Sequence, residues 1–340
     1  MHTHRGVENP AVAIVGGDSL LGKEIHDIVD TSHVPVRVKL ISADEEGDTN
    51  LIAAGQDEPI VMSSLDVAEL GGSKVVILAG SAESGRKAAA KLQELSPSPA
   101  VIDLSGALEE RPSARLRAPM VEPTTAISSE GIQVIAHPAA IALALFLTRL
   151  RRAGAIRISV AEIFEPVSER GQAGIDELQK QTVALLSFKP LPKEVFDTQV
   201  SFSLVPEYGS DSRHSLSNVE LKIERDLASL LAADGNIPMP SLRVIHAPVF
   251  HGYSLSVWVE FEENPGMEAI SSALQAGNID LRTGDLEPPS NIGVAGQGGI
   301  AVGAIRQDRN QPRAFWFWIA ADNLRISAEN AVEVLRELIR

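Results

Sequence analysis

Short apolar runs alternating with polar, helix-period stretches occupy the first 150 residues. The first run, 11–15, ends in Gly16, Gly17, Asp18 and Ser19, and apolar residues then recur at helical spacing over 20–29. This order predicts a strand, a tight turn and a helix. Further strands are expected at 36–42, 75–79 and 100–104, a helix at 83–95, and one more short strand at 134–136. His137-Pro138 ends that strand, because proline cannot donate to a ladder, and a long apolar helix over 139–150 follows. Alternating strands and helices imply α/β architecture with a Rossmann-type, doubly wound parallel sheet.

From residue 156 the pattern changes to longer strands, at 156–164, 242–247, 254–261, 299–307 and 314–320. Helices are expected at 174–186, 219–233 and 328–338. The second domain is therefore expected to be α+β with a mostly antiparallel sheet. No internal repeat or low-complexity linker separates the two halves.

Composition narrows the function classes. The 340 residues carry 30 Lys plus Arg against 45 Asp plus Glu, a formal net charge of -15, so a nucleic-acid partner is not expected. There is no run of 18 apolar residues and no apolar segment in the first ten, so neither a membrane span nor a secretion signal is expected. Hydrophobic residues at 44% and charged residues at 22% are those of a packed globular protein. The chain has no cysteine, which excludes disulfides, thiolate metal sites and thiol catalysis and fits a cytoplasmic location. Eight histidines show no ligand spacing, and His246 and His251, five apart on an expected strand, would face opposite ways. No metal site is expected.

The turn of Gly16, Gly17 and Gly22 offers backbone N–H groups and a helix start to a pyrophosphate, but taken alone it is equally a plain tight turn. The whole chain from Ala11 onward resembles the aspartate-semialdehyde dehydrogenase family. The opening Ala11-Val12-Ala13-Ile14-Val15-Gly16, the strand Val101-Ile102-Asp103 and the segment Pro248-Val249-Phe250-His251-Gly252-Tyr253-Ser254 carry the likeness. So do Val302-Gly303-Ala304-Ile305-Arg306, Trp318-Ile319-Ala320-Ala321-Asp322-Asn323-Leu324-Arg325 and Asn330-Ala331, which are specific in order and spacing. Within that family it resembles the Usg-type paralogues, which look like the enzyme without its catalytic cysteine.

The resemblance implies a tail at 1–10, a dinucleotide-binding domain at 11–140, and a substrate and dimerisation domain at 141–320. A C-terminal helix, 321–340, would pack back on the first domain. It also implies NADP binding, a homodimer, and reversible formation of aspartyl phosphate through a cysteine thioester assisted by a histidine. A mixed dimer with an active paralogue is a further partner to expect.

The residues that the resemblance places in this machinery depart from it. Ala140 falls where the nucleophilic cysteine belongs, and a methyl group can carry no acyl group. Tyr253 falls on the histidine, Glu165 on a glutamine, Glu109 on the phosphate arginine and His246 on the arginine that binds the substrate carboxylate. Of the anion-binding set, Lys222 keeps its type, though a lone helix lysine is more often solvated. Glu162, Glu165, Glu169 and Arg170 are expected to form a solvated charged rim.

Ser19 replaces a glycine of the turn and Asp18 adds charge, which weakens the case for a dinucleotide. Asp44, beyond the second strand, favours the ribose hydroxyls of NAD over the 2'-phosphate of NADP. Gly80 and Asn323 match cofactor-approaching positions but also have structural uses, the latter at the start of the last helix. NAD or NADP, with NAD favoured, and no cofactor at all both remain open. The expected function is a family member without the catalytic set, serving binding, scaffolding or regulation. The alternative is an NAD(P)-dependent oxidoreductase that needs no thioester, its proton handled by Tyr253, Glu165 or His246.

Overall fold

The computed structural model describes residues 9–42, 51–53, 59–122, 131–232 and 235–340. The chain divides into two compact units. The first comprises Met1–Pro119, Pro123–Ile135 and Ser327–Arg340, and the second Met120–Glu122 and Ala136–Ile326.

In the first unit, β1 (Ala11–Val15), α1 (Leu20–Thr31) and β2 (Arg37–Ile41) form the opening strand, helix and strand. After them come the short antiparallel pair β3 (Leu51–Ala53) and β4 (Pro59–Val61), then α2 (Val67–Leu70), β5 (Val75–Leu78) and α3 (Ala82–Leu92). The unit continues with β6 (Ala100–Asp103), β7 (Ala114–Arg117) and β8 (Ile132–Ile135). Its six-stranded sheet runs β2-β1-β5-β6-β8-β7, and every pair is parallel. β1 and β5 are buried on both faces, which is why they read as continuous apolar runs rather than alternating ones. Ala13, Val15, Ile41, Val76, Leu78 and Leu92 belong to one core cluster.

Two strands of this unit's sheet differ from the sequence expectation. β7 is absent from it because its sequence, ARLR, carries charge inside a strand. Arg117 is nonetheless buried, donating from Nη1 to Gln133 at 3.0 Å and from Nη2 to Glu337 at 2.8 Å. β8 starts two residues earlier than expected because Gln133, also buried, interrupts its apolar pattern.

The second unit begins on α4 (Pro138–Leu150), followed by β9 (Ile156–Glu165), a single 3-10 turn (Val167–Arg170), α5 (Gly171–Leu186) and α6 (Leu216–Ala232). It ends with β10 (Ser241–His246), β11 (Tyr253–Phe261), α7 (Gly266–Leu274), β12 (Ile279–Arg282), β13 (Ile300–Gln307) and β14 (Ala314–Ala321). The last helix, α8 (Asn323–Ile339), starts here and finishes in the first unit. The units change over at Ile135/Ala136 rather than after residue 140, because Pro138 opens α4 at once and carries Ala140 into the second unit.

The second sheet runs β10-β9-β11-β14-β13-β12. Its three inner pairs are antiparallel and its two outer pairs parallel. α4 is apolar all round and almost wholly buried, as such a helix must be, and Phe146 meets Phe317 of β14 edge-on at 5.0 Å. β9 and β11 alternate with period two between this covered face and an open one. Ile158, Val160 and Trp316 stand on the open face, each at least 40% exposed. There the Trp258 and Trp316 indoles both donate to Asp308 Oδ2 at 2.9 Å.

Residues 187–215 contain no helix and pair with the sheet's backbone at one bridge, Val205 to His246. Buried side chains of α5 hold this segment. Glu177 accepts from the N–H groups of Val195 and Phe196, and Gln181 accepts from Val200 and Ser201 while donating to the carbonyls of Pro192 and Thr198. Backbone that has no ladder is satisfied in this way. Among the described residues no helix is long and apolar enough to cross a membrane.

Candidate functional site

Three strand ends of the second unit bring the central side chains together. Parallel pairing puts His246 of β10 beside Glu165 of β9, and the antiparallel strand β11 begins there with Tyr253. The 3-10 turn that follows β9 adds Glu169 and Arg170, and the 187–215 segment adds Tyr208. Arg170 Nη2 donates to Glu165 Oε1 at 2.5 Å, and the Tyr208 hydroxyl lies 3.1 Å from the same oxygen and 2.9 Å from His246 Nδ1. An ionised Glu165 can only accept, so Tyr208 donates to it and His246 Nδ1–H donates to Tyr208. This tautomer leaves His246 Nε2 unprotonated.

The solvated rim expected for these charges is therefore corrected. Only Glu162 points out; Glu165 is completely buried and Arg170 nearly so, because three strand ends and the 187–215 segment close over them. Burial pushes the Glu165 carboxyl up, opposed by Arg170 and by the hydrogen bonds it accepts. Burial likewise raises Tyr208 and Tyr253, and it holds His246 down to about 3 with help from Arg170.

A second group adjoins the first. Asn323 donates from Nδ2 to Glu169 Oε1 at 2.8 Å and to Ser168 Oγ at 3.1 Å, while its Oδ1 accepts from Gly252 N–H at 3.1 Å. Glu169 is raised to about 7, first by burial and then by the nearby Glu165. His137, the residue before α4, is held down to about 3 by burial and by Lys222 and Arg170, so it is neutral near pH 7. Its Nδ1 accepts from Ala139 N–H at 3.3 Å, which puts the proton on Nε2, 4.0 Å from Glu169 Oε2.

Lys222 is corrected too, since it is mostly buried and reaches Asp226 at 2.9 Å. Asp226 in turn accepts from His137 N–H at 2.8 Å, so α6 anchors the start of α4. Ala140, one turn into α4, is fully buried.

Tyr253 Oη, His246 Nε2, Glu165 Oε2 and Arg170 Nε are buried without a hydrogen-bond partner among the described residues. Tyr253 lies next to both Glu165 and Glu169, and its hydroxyl opposes the rise of both carboxyls. Such groups are rare in folded proteins and concentrate where function requires them.

In the first unit, the glycine turn is spent largely on itself. Gly16 has φ +81°, and a Cβ there would lie 2.6 Å from the Gly80 backbone; one on Gly22 would lie 2.1 Å from Gly16 O. Gly16 and Gly17 N–H donate to Ile41 O, and Ser19 caps α1 by accepting from Gly22 N–H. Asp18 is exposed at the tip. Glu109 follows a turn in which Asp103 accepts from Ser105 and Leu108 N–H. Asp44 lies outside the described residues. Sequence reasoning missed Tyr208 and His137 as members of the site. No periodic signal marks the segment that carries Tyr208, and His137 reads only as the residue before a proline.

A doubly wound parallel unit with a glycine turn, joined to a mixed-sheet unit with a polar cluster at its strand ends, defines a two-unit dehydrogenase scaffold. The family model described as semialdehyde dehydrogenase, dimerisation domain, matches residues 147–326, and the chain belongs to that family. It is 29% identical over 352 residues to the USG-1 protein homolog of Pseudomonas aeruginosa, covering 96% of this chain and 97% of that one. It is 26% identical over 335 residues to the aspartate-semialdehyde dehydrogenase of Rickettsia bellii, covering 97% of each. The structure of a probable aspartate-semialdehyde dehydrogenase from Pseudomonas aeruginosa superposes with a TM-score of 0.83 at 26% identity, over 98% of this chain and 99% of that one.

Proposed function

We propose that this protein is a member of the semialdehyde dehydrogenase family that performs no phosphorylating aldehyde oxidation and keeps the scaffold for binding or assembly. The observation that carries the reading is the complete absence of cysteine, since the family's reaction runs through a thioester. Its supports are Ala140 at the nucleophile's position and a carboxylate–guanidinium pair, Glu165 with Arg170, where a free cation would meet an anionic substrate. Purified protein supplied with aspartate semialdehyde, phosphate and NADP or NAD should give no absorbance change at the nicotinamide band. Turnover that survives removal of contaminating host enzyme overturns the reading.

The alternative, hydride transfer without a covalent intermediate, gave the proton to Tyr253, Glu165 or His246. Tyr253 is raised well above its usual range and His246 is held down to about 3, so neither suits proton exchange at neutral pH, and Glu165, raised by burial, is engaged by Arg170 and Tyr208. Calorimetric titration with NAD and NADP separates the readings, and binding of neither at millimolar concentration removes the oxidoreductase. If a dinucleotide binds, NAD is the one favoured. The homodimer is proposed to form through the open face of the second sheet, which lies within the matched dimerisation region.

A further inference from the structure

We propose that the hollow between the second half of α1 and the start of β2 is a binding site for a small organic cation, an ammonium group on an apolar body. The hollow measures about 560 Å³, a size usual for small-molecule sites. Its apolar lining comes from Val29 and Val34, both buried, and from Val36 and Val38, both half-buried. His26, Asp30 and His33 supply the polar lining. His26, Val29 and Asp30 are spaced i, i+3 and i+4, so they share one stripe of α1, and His33 stands in the turn that closes the helix.

Charge selects the ligand. Asp30 lies in the last turn of α1, where the helix dipole already favours positive charge, and that turn contains no basic residue. Among the described residues that line the hollow there is no Lys or Arg. A carboxylate ligand would oppose both Asp30 and the negative end of the helix. An ammonium has three N–H donors and no acceptor, and the lining offers it the Asp30 carboxylate and one acceptor nitrogen on each neutral imidazole. The valines take the apolar body.

The end of α1 supplies a second observation. Val34 N–H donates to Val29 O at 3.1 Å and His33 N–H to Asp30 O at 3.0 Å, the paired bonds of a helix closed by a left-handed residue. That residue is His33, with φ +49°. Glycine is the usual occupant because it takes this conformation without strain, whereas His33 is strained there and contributes an imidazole to the hollow. Backbone strain of this kind concentrates at binding sites. The hollow is also distinct from the glycine turn. Asn9 and Val36, which line it, precede β1 and β2, whereas Gly16 follows β1 at the opposite end of the sheet.

The experiment is calorimetry and proton NMR on the full chain, at about pH 8, with phenethylammonium, 3-phenylpropionate and 2-phenylethanol, which are matched in size. The unmodified protein should bind phenethylammonium at least about tenfold more tightly than the other two, and Asp30→Asn should abolish that preference while leaving 2-phenylethanol unchanged. His33→Gly should weaken phenethylammonium about fivefold, as for one lost hydrogen bond, and raise the urea midpoint by relieving the strain. A merely structural His33 would change the midpoint alone. No binding, equal binding of all three ligands, or full affinity in Asp30→Asn or His33→Gly overturns the proposal. Neither turnover nor dinucleotide binding enters these measurements, so failure here and failure of catalytic silence are distinguishable.

Discussion

Glu169 and Asn323 are joined by a 2.8 Å hydrogen bond that ties the turn after β9 to the first residue of α8. The carboxylate engaged there is raised from its usual 4.5 to about 7. Between those values the folded protein holds a proton that the unfolded chain releases, so this contribution to stability is complete below about pH 4.5 and is lost as pH rises toward 7. Urea midpoints measured from pH 5 to 8 should fall for the unmodified protein relative to Glu169→Gln. Parallel curves would show that Glu169 does not titrate in this range. His137 and His246, held near 3, act in the opposite sense below pH 6.5 in both proteins and cancel in the comparison.

Arg170→Met removes the partner of a completely buried carboxylate while keeping most of the side-chain volume. Leaving a buried charge unpaired costs about 3–5 kcal/mol, so the variant should unfold at clearly lower denaturant concentration. Adding Glu165→Gln should recover part of the loss, and a double-mutant cycle measures the coupling.

Ala140→Cys alone should restore no turnover. The thiol would stand in the first turn of α4, just after a neutral His137 whose ring lies 6.1 Å from that of Tyr253. The nicotinamide absorbance assay checks this directly, and a measurable rate would show that the missing nucleophile is the whole defect.

Val160→Glu with Trp316→Glu places charge on the two strands that flank β11, in a row linked through Trp258. Sedimentation velocity should find a dimer before the change and a monomer after it, with dissociation strengthened by at least about 100-fold because a twofold interface meets each charge twice. Circular dichroism should be unchanged, since both positions are exposed. A variant that remains dimeric places the interface elsewhere.

Much of the fold is legible in the sequence because its strands announce themselves by burial. β1 and β5, covered on both sides, are unbroken apolar runs, and β9 and β11 alternate because one face is open. β7 is hidden because its inward Arg117 is neutralised by Glu337 from the far end of the chain, a pairing that no local window contains. The candidate site is legible in parts. Tyr253, Glu165 and His246 can be named from motif position, but their burial depends on the 187–215 segment, which Glu177 and Gln181 hold through backbone groups without sequence signature. The charges read as a solvated rim because nothing in the order of residues 162–170 reveals what covers them.

α8 begins in the second unit but contributes residues 327–340 to the first, where Glu337 meets Arg117 and the Ile339 carbonyl meets Lys74. During synthesis the parallel sheet therefore emerges long before the piece that completes it. Roughly 200 residues must still be translated, which takes about 10–40 s at ordinary elongation rates. Through that interval the surface that buries Ala331, Leu335 and Leu338 in the finished protein stands open on the ribosome. The parallel-sheet unit is thus begun before the second unit but completed after it.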